Sequence, residues 1–153
     1  MATATLVIMR HGESAWTDKR VNRFAGWVDV PLTERGRAQA AEAGRLMREA
    51  GIQPDAVFTS LLERSIVSAD IALHEVGRLW VPVIRSWRLN ERHYGAFQGQ
   101  TRPDMRKAYG EELFNAYRRS FGVRPPKIDP ASPYFQAGDP RYGTLSQDGL
   151  DAT

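Results

Sequence analysis

Apolar residues along the chain form short unbroken runs of the length of a strand. The run Leu6–Met9 predicts a strand that is covered on both faces and therefore lies centrally in a parallel sheet. Ala56–Thr59 predicts a second strand, and Val81–Ile84 predicts a third. The sequence thus indicates a sheet built from strands that are well separated along the chain.

Two stretches between these runs carry apolar residues at helical spacings of three and four. The first follows Pro31-Leu32-Thr33, which supplies a helix breaker and an N-cap, and it ends at Gly51. The second runs from Leu62 to Leu73 and ends near Gly77. Strands that alternate with helices build right-handed crossovers, so we expect an α/β fold with a parallel sheet.

The pattern of residues along the chain changes after about Gly110. A helix is expected to continue through Leu113, Tyr117 and Phe121, and the prolines from Pro125 to Pro140 then interrupt regular structure. We therefore predict a loop or lid in this part of the chain.

Composition narrows the class of protein. With 153 residues, 42% hydrophobic and 25% charged, the chain has the size of one ordinary domain. The absence of cysteine excludes a thiolate nucleophile and a disulfide framework, and together with the lack of an apolar leader or span it favours a soluble protein of the cytoplasm rather than the membrane. Net charge is +3 and the basic residues are mostly arginine, which suits small anions, whereas the patterns typical of nucleic-acid binding are missing.

Arg10-His11-Gly12-Glu13-Ser14 directly follows the first apolar run and carries the strongest chemical signal. A neighbouring guanidinium disfavours a protonated imidazole, so we expect His11 to be neutral with a free lone pair near pH ~7. Gly12 allows a ligand to approach the backbone closely, and Ser14 adds a hydroxyl. The segment is interpreted as a phosphate cradle with a nucleophilic histidine; the alternative is a strand-end histidine bonded only to backbone.

Three further segments carry groups that phosphoryl transfer needs. Arg64 lies one turn into a predicted helix, where a helix N-terminus favours anions; the alternative is a solvent-facing arginine. Leu89–Gly95 places an acid, a base and a phenol in one loop. Arg118-Arg119 could clamp a carboxylate or phosphate, or could be a solvated helix face.

Taken together, these segments resemble the cofactor-dependent phosphoglycerate mutases of the histidine phosphatase superfamily. The resemblance is carried by Leu6–Ser14, Gly26-Trp27, Leu32–Gly36, Thr59-Ser60 with Arg64, Leu89–Gly95, Arg118-Arg119, Pro125-Pro126 and Asp139–Tyr142. It implies a three-layer α/β/α fold with a mostly parallel sheet, which this short chain would leave incomplete. Residues 1–121 would be the N-terminal part of that domain, and residues 122–153 its proline-rich lid or loop tail.

The same resemblance implies an isomerase of glycolysis and gluconeogenesis that interconverts 2-phosphoglycerate and 3-phosphoglycerate. His11 would become phosphorylated, Arg10 and Arg64 would hold the transferred group, and Glu91 would exchange a proton with the substrate hydroxyl. The pocket for the small phosphorylated carboxylate would be lined by Ser14, Thr17, Gly26, Arg92, Tyr94, Arg102, Arg118 and Arg119 as well. The implied cofactor is 2,3-bisphosphoglycerate, and no metal is expected.

This chain also departs from the family pattern. Thr17 stands where asparagine is usual, Ala25 replaces a hydroxyl residue and Arg102 replaces lysine, which bears on substrate fit. Family members continue into a second His-Gly motif, for which His74 and His93 are no substitutes. The chain is therefore expected to be a fragment, a natural short form or a protein completed by homo-oligomerisation, and a phosphatase or a non-catalytic phosphate-binding protein remains an alternative.

Overall fold

A computed structural model describes residues 3–145 of the protein. Its regular elements in chain order are α1 (Glu34–Glu49), β1 (Val57–Thr59), α2 (Glu63–Val76), β2 (Val83–Arg85) and α3 (Arg102–Arg119). Short 3₁₀ turns lie between β2 and α3, at Trp87–Leu89 and Gly95–Phe97, and after α3, at Pro140–Tyr142. In the described range, no helix is long and apolar enough to cross a membrane.

Helix α1 begins where the sequence predicts. The Thr33 hydroxyl accepts a hydrogen bond from the Gly36 backbone N–H at 3.0 Å and so caps the helix. The helix then packs along α2. Close approach is possible because a Cβ on Gly44 would lie 2.6 Å from the Ala72 carbonyl oxygen, so only glycine fits there.

The two strands pair in parallel, with Val57 opposite Val83 and Thr59 opposite Arg85. Helix α2 connects them and packs against β1, which confirms the α/β class and the parallel sheet. Strand β2 begins at Val83, two residues after the predicted start at Val81. Phe58 remains 67% exposed, so one face of this sheet is open to solvent.

The predicted strand Leu6–Met9 is not formed, which corrects the sequence interpretation. Leu6 is 84% and Ile8 is 86% exposed, and within residues 3–145 no segment pairs with this run. An apolar run becomes a buried strand only where neighbouring strands satisfy its backbone and cover its side chains. Those neighbours are absent from the described residues, so the run forms no strand and Leu6, Val7 and Ile8 stay exposed.

Helix α3 carries a kink at Gly110, whose φ of 75° is outside the helical range. The helix expected after Gly110 is present, but it ends at Arg119, and Phe121 lies beyond it and is exposed. On the other side of α3, Phe114 joins a buried cluster with Phe24 and Phe97. This cluster fixes α3 against the loops that carry the site.

The tail from residue 122 to residue 145 forms loops and one 3₁₀ turn. Three of its side chains are buried, namely those of Ile128, Gln136 and Tyr142. Tyr142 stacks on Trp27 with ring centroids 4.7 Å apart. The tail is therefore packed against the loops of the site; the rest of the predicted segment, residues 146–153, lies outside the described residues.

Candidate active site

His11 presents one ring nitrogen as an electron-pair donor. Its Nδ1 lies 2.6 Å from the carbonyl oxygen of Gly12, and because a carbonyl can only accept, Nδ1 carries the proton and Nε2 keeps the lone pair. Burial lowers the pKa of His11 below its usual 6.5, with smaller contributions in the same direction from Arg64 and Arg10. The neutral ring expected from the sequence is therefore favoured, although burial rather than a guanidinium is the largest cause.

The backbone after His11 is held between two helices. The Gly12 N–H donates to the Ser68 hydroxyl at 3.1 Å, and that hydroxyl donates to the Arg64 carbonyl at 2.7 Å. A Cβ on Gly12 would lie 2.0 Å from the Gly36 carbonyl oxygen, at the start of α1. The histidine loop is thus fastened to α2 and pressed against α1, which limits the positions that the imidazole can take.

Arg64 lies in the first turn of α2 and is fully buried, with 0% of its surface exposed. Its Nη1 donates to the Val28 carbonyl at 2.9 Å and its Nη2 donates to the Gly26 carbonyl at 2.7 Å. Nε is buried and has no hydrogen-bond partner among the described residues. A buried unpaired donor costs about 1–3 kcal/mol, and an anion bound beside it would remove that cost.

Glu91 shares the Arg64 guanidinium. Its Oε2 accepts a hydrogen bond from Arg64 Nη2 at 3.0 Å, and its main-chain carbonyl accepts one from Trp27 Nε1 at 2.8 Å. The Glu91 side chain is 33% exposed, and within residues 3–145 no hydrogen bond reaches Oε1. One carboxylate oxygen is therefore anchored while the other is available for proton exchange.

Arg102 and Arg118 form a second pair of cations, and the Glu91 carboxylate acts on the charge of Arg102. Burial lowers the pKa of Arg102, and the charge of Arg118 lowers it further. Both guanidinium groups lie over the aromatic cluster, Arg102 at 4.9 Å from the Phe24 ring and Arg118 at 5.1 Å from the Phe114 ring. Arg118 Nε is a further buried donor without a partner in the described part of the chain. Arg64 and Arg118 thus each have one buried donor that a bound anion could pair with.

Tyr94 belongs to this cluster electrostatically. Burial raises the pKa of its phenol, and the nearby Glu91 carboxylate acts in the same direction. Arg118, Arg102 and Arg92 act against that rise. The phenol therefore stays protonated at neutral pH and can donate a hydrogen bond.

Other residues named from the sequence have different contacts. Arg92 donates from Nη1 to the Ser120 carbonyl at 2.8 Å and from Nη2 to the Val123 carbonyl at 2.7 Å, so it holds the start of the tail. Arg119 is exposed at the end of α3.

The hydroxyl groups of the histidine loop bond to each other. The Ser14 hydroxyl lies 3.1 Å from the Thr17 hydroxyl, which also accepts a hydrogen bond from the Ser14 N–H at 2.8 Å. Ser14 is fully buried. The two side chains thus stabilise the loop that follows His11.

The two remaining histidines occupy separate positions. His74 is exposed in the last turn of α2. His93 is buried, with Nδ1 accepting from the Gly95 N–H at 3.0 Å and Nε2 lying 3.0 Å from Gln136 Oε1. Across residues 3–145, no group of three or more His, Cys, Asp or Glu side chains is arranged to hold a metal ion.

Sequence reasoning missed Ser68 and the anchors of Glu91. Ser68 follows Arg64 by four residues and thus lies on the same face of α2, which is a signal that the helical spacing offers. The contact between Trp27 and the Glu91 carbonyl joins loops 64 residues apart, and no local pattern indicates it.

The chain is similar in sequence to known proteins of one superfamily. A model of the histidine phosphatase superfamily (branch 1) matches residues 6–135. The 2,3-bisphosphoglycerate-dependent phosphoglycerate mutase of Bifidobacterium longum is 55% identical over 140 residues, 92% of this chain and 56% of that protein. Phosphoglycerate mutase 1 of Saccharomyces cerevisiae is 52% identical over 148 residues, 97% of this chain and 59% of that protein.

Solved structures show the same likeness in three dimensions. The mycobacterial glucosyl-3-phosphoglycerate phosphatase superposes with a TM-score of 0.64 at 27% identity, over 75% of this chain and 51% of that one. In sequence, the chain spans between 56% and 59% of the length of the two mutases compared above.

Proposed function

The chain belongs to the histidine phosphatase superfamily, and we propose that it acts as a 2,3-bisphosphoglycerate-dependent phosphoglycerate mutase with a phosphohistidine at His11. The observation that carries this proposal is the buried Arg64 guanidinium, whose Nε is unpaired and whose Nη2 binds Glu91. Its charge acts on the neutral His11 ring. A nucleophile, an anion site and a proton carrier thus share one guanidinium.

In the proposed reaction, the free hydroxyl of the substrate attacks phosphorus of the phosphohistidine at His11, the bond from phosphorus to Nε2 breaks with its electron pair returning to Nε2, and Glu91 takes the proton of the hydroxyl. His11 Nε2 then attacks the other phosphoryl group of the glycerate, and the bond from that phosphorus to the glycerate oxygen breaks. The electron pair of this bond stays on the oxygen, which takes the proton back from Glu91, and His11 is again phosphorylated. During transfer the phosphoryl oxygens carry negative charge, and Arg64 and Arg10 would stabilise it.

The residues present fit the bisphosphorylated cofactor of the mutase relatives. Arg64 and Arg118 each keep one buried unpaired donor, and the Glu91 carboxylate that binds Arg64 also acts on the charge of Arg102, which in turn interacts with Arg118. These arginines would hold its charged groups, and Tyr94 would donate a hydrogen bond. When bound, 2,3-bisphosphoglycerate supplies the phosphoryl group that primes His11. In this proposal arginine provides the positive charge that a metal supplies in other phosphoryl-transfer sites.

The proposal extends to the setting of the reaction. Small phosphorylated carboxylates of glycolysis and gluconeogenesis would be the substrates, and the cytoplasm would be the compartment. We further propose that residues 122–153, of which residues 122–145 are described and packed against the site loops, belong to the same domain as residues 1–121 and serve as its lid.

Labelling tests the proposed function. The purified chain is incubated with 2,3-bisphosphoglycerate labelled at phosphorus, and acid-labile label on His11 is mapped while 2- and 3-phosphoglycerate are followed by phosphorus NMR. We expect label and interconversion in the natural chain and in His74→Gln, which changes an exposed histidine, and neither in His11→Gln. Release of inorganic phosphate without interconversion would identify a phosphatase instead, and a folded chain that takes up no label would refute the proposal.

A further inference from the structure

Asn90 directly precedes Glu91 and uses both ends of its side-chain amide. Its Oδ1 accepts a hydrogen bond from the Leu61 backbone N–H at 3.1 Å, and its Nδ2 donates to the Tyr142 hydroxyl at 2.9 Å. Because a backbone N–H can only donate, the orientation of this amide is determined, and the Tyr142 oxygen must be an acceptor. Asn90 therefore joins the Glu91 loop to two other parts of the chain.

Trp27 makes the second connection between Tyr142 and Glu91. Its indole Nε1 donates to the Glu91 carbonyl at 2.8 Å, and its ring stacks on the Tyr142 ring at an interplanar angle of 29°. Tyr142 is only 2% exposed. One tail side chain thus contacts both residues that hold the Glu91 main chain.

The tail is also fastened to the start of α2. Arg141 forms ion pairs with Asp29 and with Asp139. Asp29 Oδ1 in turn accepts from the Glu63 N–H at 2.6 Å, which caps a helix whose own N-cap, Leu62, provides no side-chain bond. These contacts hold Tyr142 in a fixed place relative to the helix turn that carries Arg64.

On the basis of the proposed function, we propose that Asn90 and Tyr142 are positioning residues for Glu91. Leu61 lies just before the start of α2, three residues ahead of Arg64, so the amide of Asn90 sets the distance between the Glu91 loop and the Arg64 guanidinium. The Tyr142 hydroxyl keeps that amide in place. Without the Tyr142 hydroxyl, the Asn90 side-chain N–H loses its acceptor and the Glu91 loop can relax away from Arg64. The Glu91 carboxylate is then displaced slightly from its hydrogen-bonded position.

Tyr142→Phe removes one hydroxyl and leaves the ring that stacks on Trp27. We expect kcat with phosphoglycerate to fall roughly 3- to 10-fold at unchanged KM, the size of one neutral hydrogen bond. With p-nitrophenyl phosphate, whose leaving group needs no proton, we expect a change of less than about twofold. Tyr109→Phe, which also removes a tyrosine hydroxyl but from the aromatic cluster, serves as the matched control and should leave both rates unchanged.

Variants at Asn90 test whether the two residues act together. Asn90→Ala should show the same selective loss, and the double variant with Tyr142→Phe should be no slower than Asn90→Ala alone. Asn90→Asp should stay within about twofold of the natural chain, because its carboxylate can accept from both the Leu61 N–H and the Tyr142 hydroxyl. Losses that multiply in the double variant would overturn the inference.

The imidazole titration of His11, followed by NMR, reports the position of Glu91 without turnover. The Glu91 charge raises the pKa of His11, so Glu91→Gln lowers that midpoint, and Tyr142→Phe should move it part of the way. An unchanged midpoint in Tyr142→Phe, or an equal loss of rate with both substrates, would refute the positioning role. If Tyr142→Phe shifts the midpoint but the natural chain takes up no label on His11, the proposed function alone is refuted.

Discussion

The Ser68 hydroxyl accepts a hydrogen bond from the Gly12 N–H at 3.1 Å, and this contact connects the loop of His11 to the helix that carries Arg64. The same hydroxyl donates to the Arg64 carbonyl. The two groups that meet at phosphorus in the proposed reaction are therefore attached to one side chain.

Ser68→Ala tests that attachment. Loss of the hydroxyl leaves the buried Gly12 N–H unpaired, so we expect the free energy of unfolding to fall by about 1–3 kcal/mol and phosphorylation of His11 to slow roughly 3- to 10-fold. Urea unfolding and single-turnover labelling measure the two effects. Ser65→Ala on the same helix is the control and should change neither, and equal behaviour of the two variants would contradict the role of Ser68.

Arg64→Lys tests the buried guanidinium. Lysine keeps the charge but cannot donate to Gly26, Val28 and a bound anion in the same plane. We expect labelling of His11 to fall by about 100-fold or more, as for the loss of a preorganised donor to a transition-state oxygen. Vanadate binding by calorimetry should weaken in parallel. Arg45→Lys, on the exposed face of α1, should leave both measurements unchanged, and a labelling rate near that of the natural chain would exclude Arg64 as the anion site.

The lowered pKa of His11 predicts how labelling and stability depend on pH. The ring should take up its proton below the ordinary pKa of ~6.5, so the midpoint at which the labelling rate decreases should also lie below that value. In the unfolded chain His11 takes up a proton near pH ~6.5, and in the folded chain it does so only at lower pH. The free energy of unfolding should therefore decrease as the pH falls from the unfolded pKa of His11 to its folded pKa, and it should level off below the folded pKa. His11→Gln should remove this part of the pH dependence.

Arg10 offers a finer check on the same site. The charge of Arg10 lowers the pKa of His11, so Arg10→Met should raise the titration midpoint of the His11 imidazole measured by NMR. Arg37→Met changes an exposed arginine on α1 and should leave this midpoint unchanged. A midpoint that falls in Arg10→Met would contradict the electrostatic description of the cluster.

Gly12→Ala tests the close contact between the histidine loop and α1. The added Cβ would lie 2.0 Å from the Gly36 carbonyl oxygen, and backbone cannot give way cheaply, so we expect a loss of stability of several kcal/mol, of order 3 or more. Gly143→Ala places its Cβ 3.6 Å from the nearest atom and serves as the control. Thermal unfolding compares the two, and similar melting temperatures would show that the loop can move away from α1.

Local patterns identified much of this structure. The N-cap at Thr33, the end of α2 at Gly77 and the parallel pairing of the two formed strands all follow from short-range signals in the sequence. The strand expected at Leu6–Met9 is not formed, and the reason is long-range. An apolar run indicates that a segment needs neighbouring strands to cover it, but it does not show that those neighbours are present.

The site shows the same division. Residue type and the family resemblance single out His11, Arg64 and Glu91 as candidates, and in the structure the charges of Arg64 and Glu91 act on the His11 ring. The carbonyls that orient Arg64, and the contact between Asn90 and Tyr142 across 52 residues, depend on tertiary packing. Arg92 illustrates the limit of residue type, since its guanidinium binds the backbone of the tail.

The orientation of Arg64 has an evolutionary consequence. Its two carbonyl acceptors belong to the main chain at Gly26 and Val28, so mutation of neighbouring side chains leaves the acceptors in place as long as the loop keeps its path. If the proposed function holds, side chains around the site can change with the phosphorylated compound that is bound while the orientation of the Arg64 charge is kept.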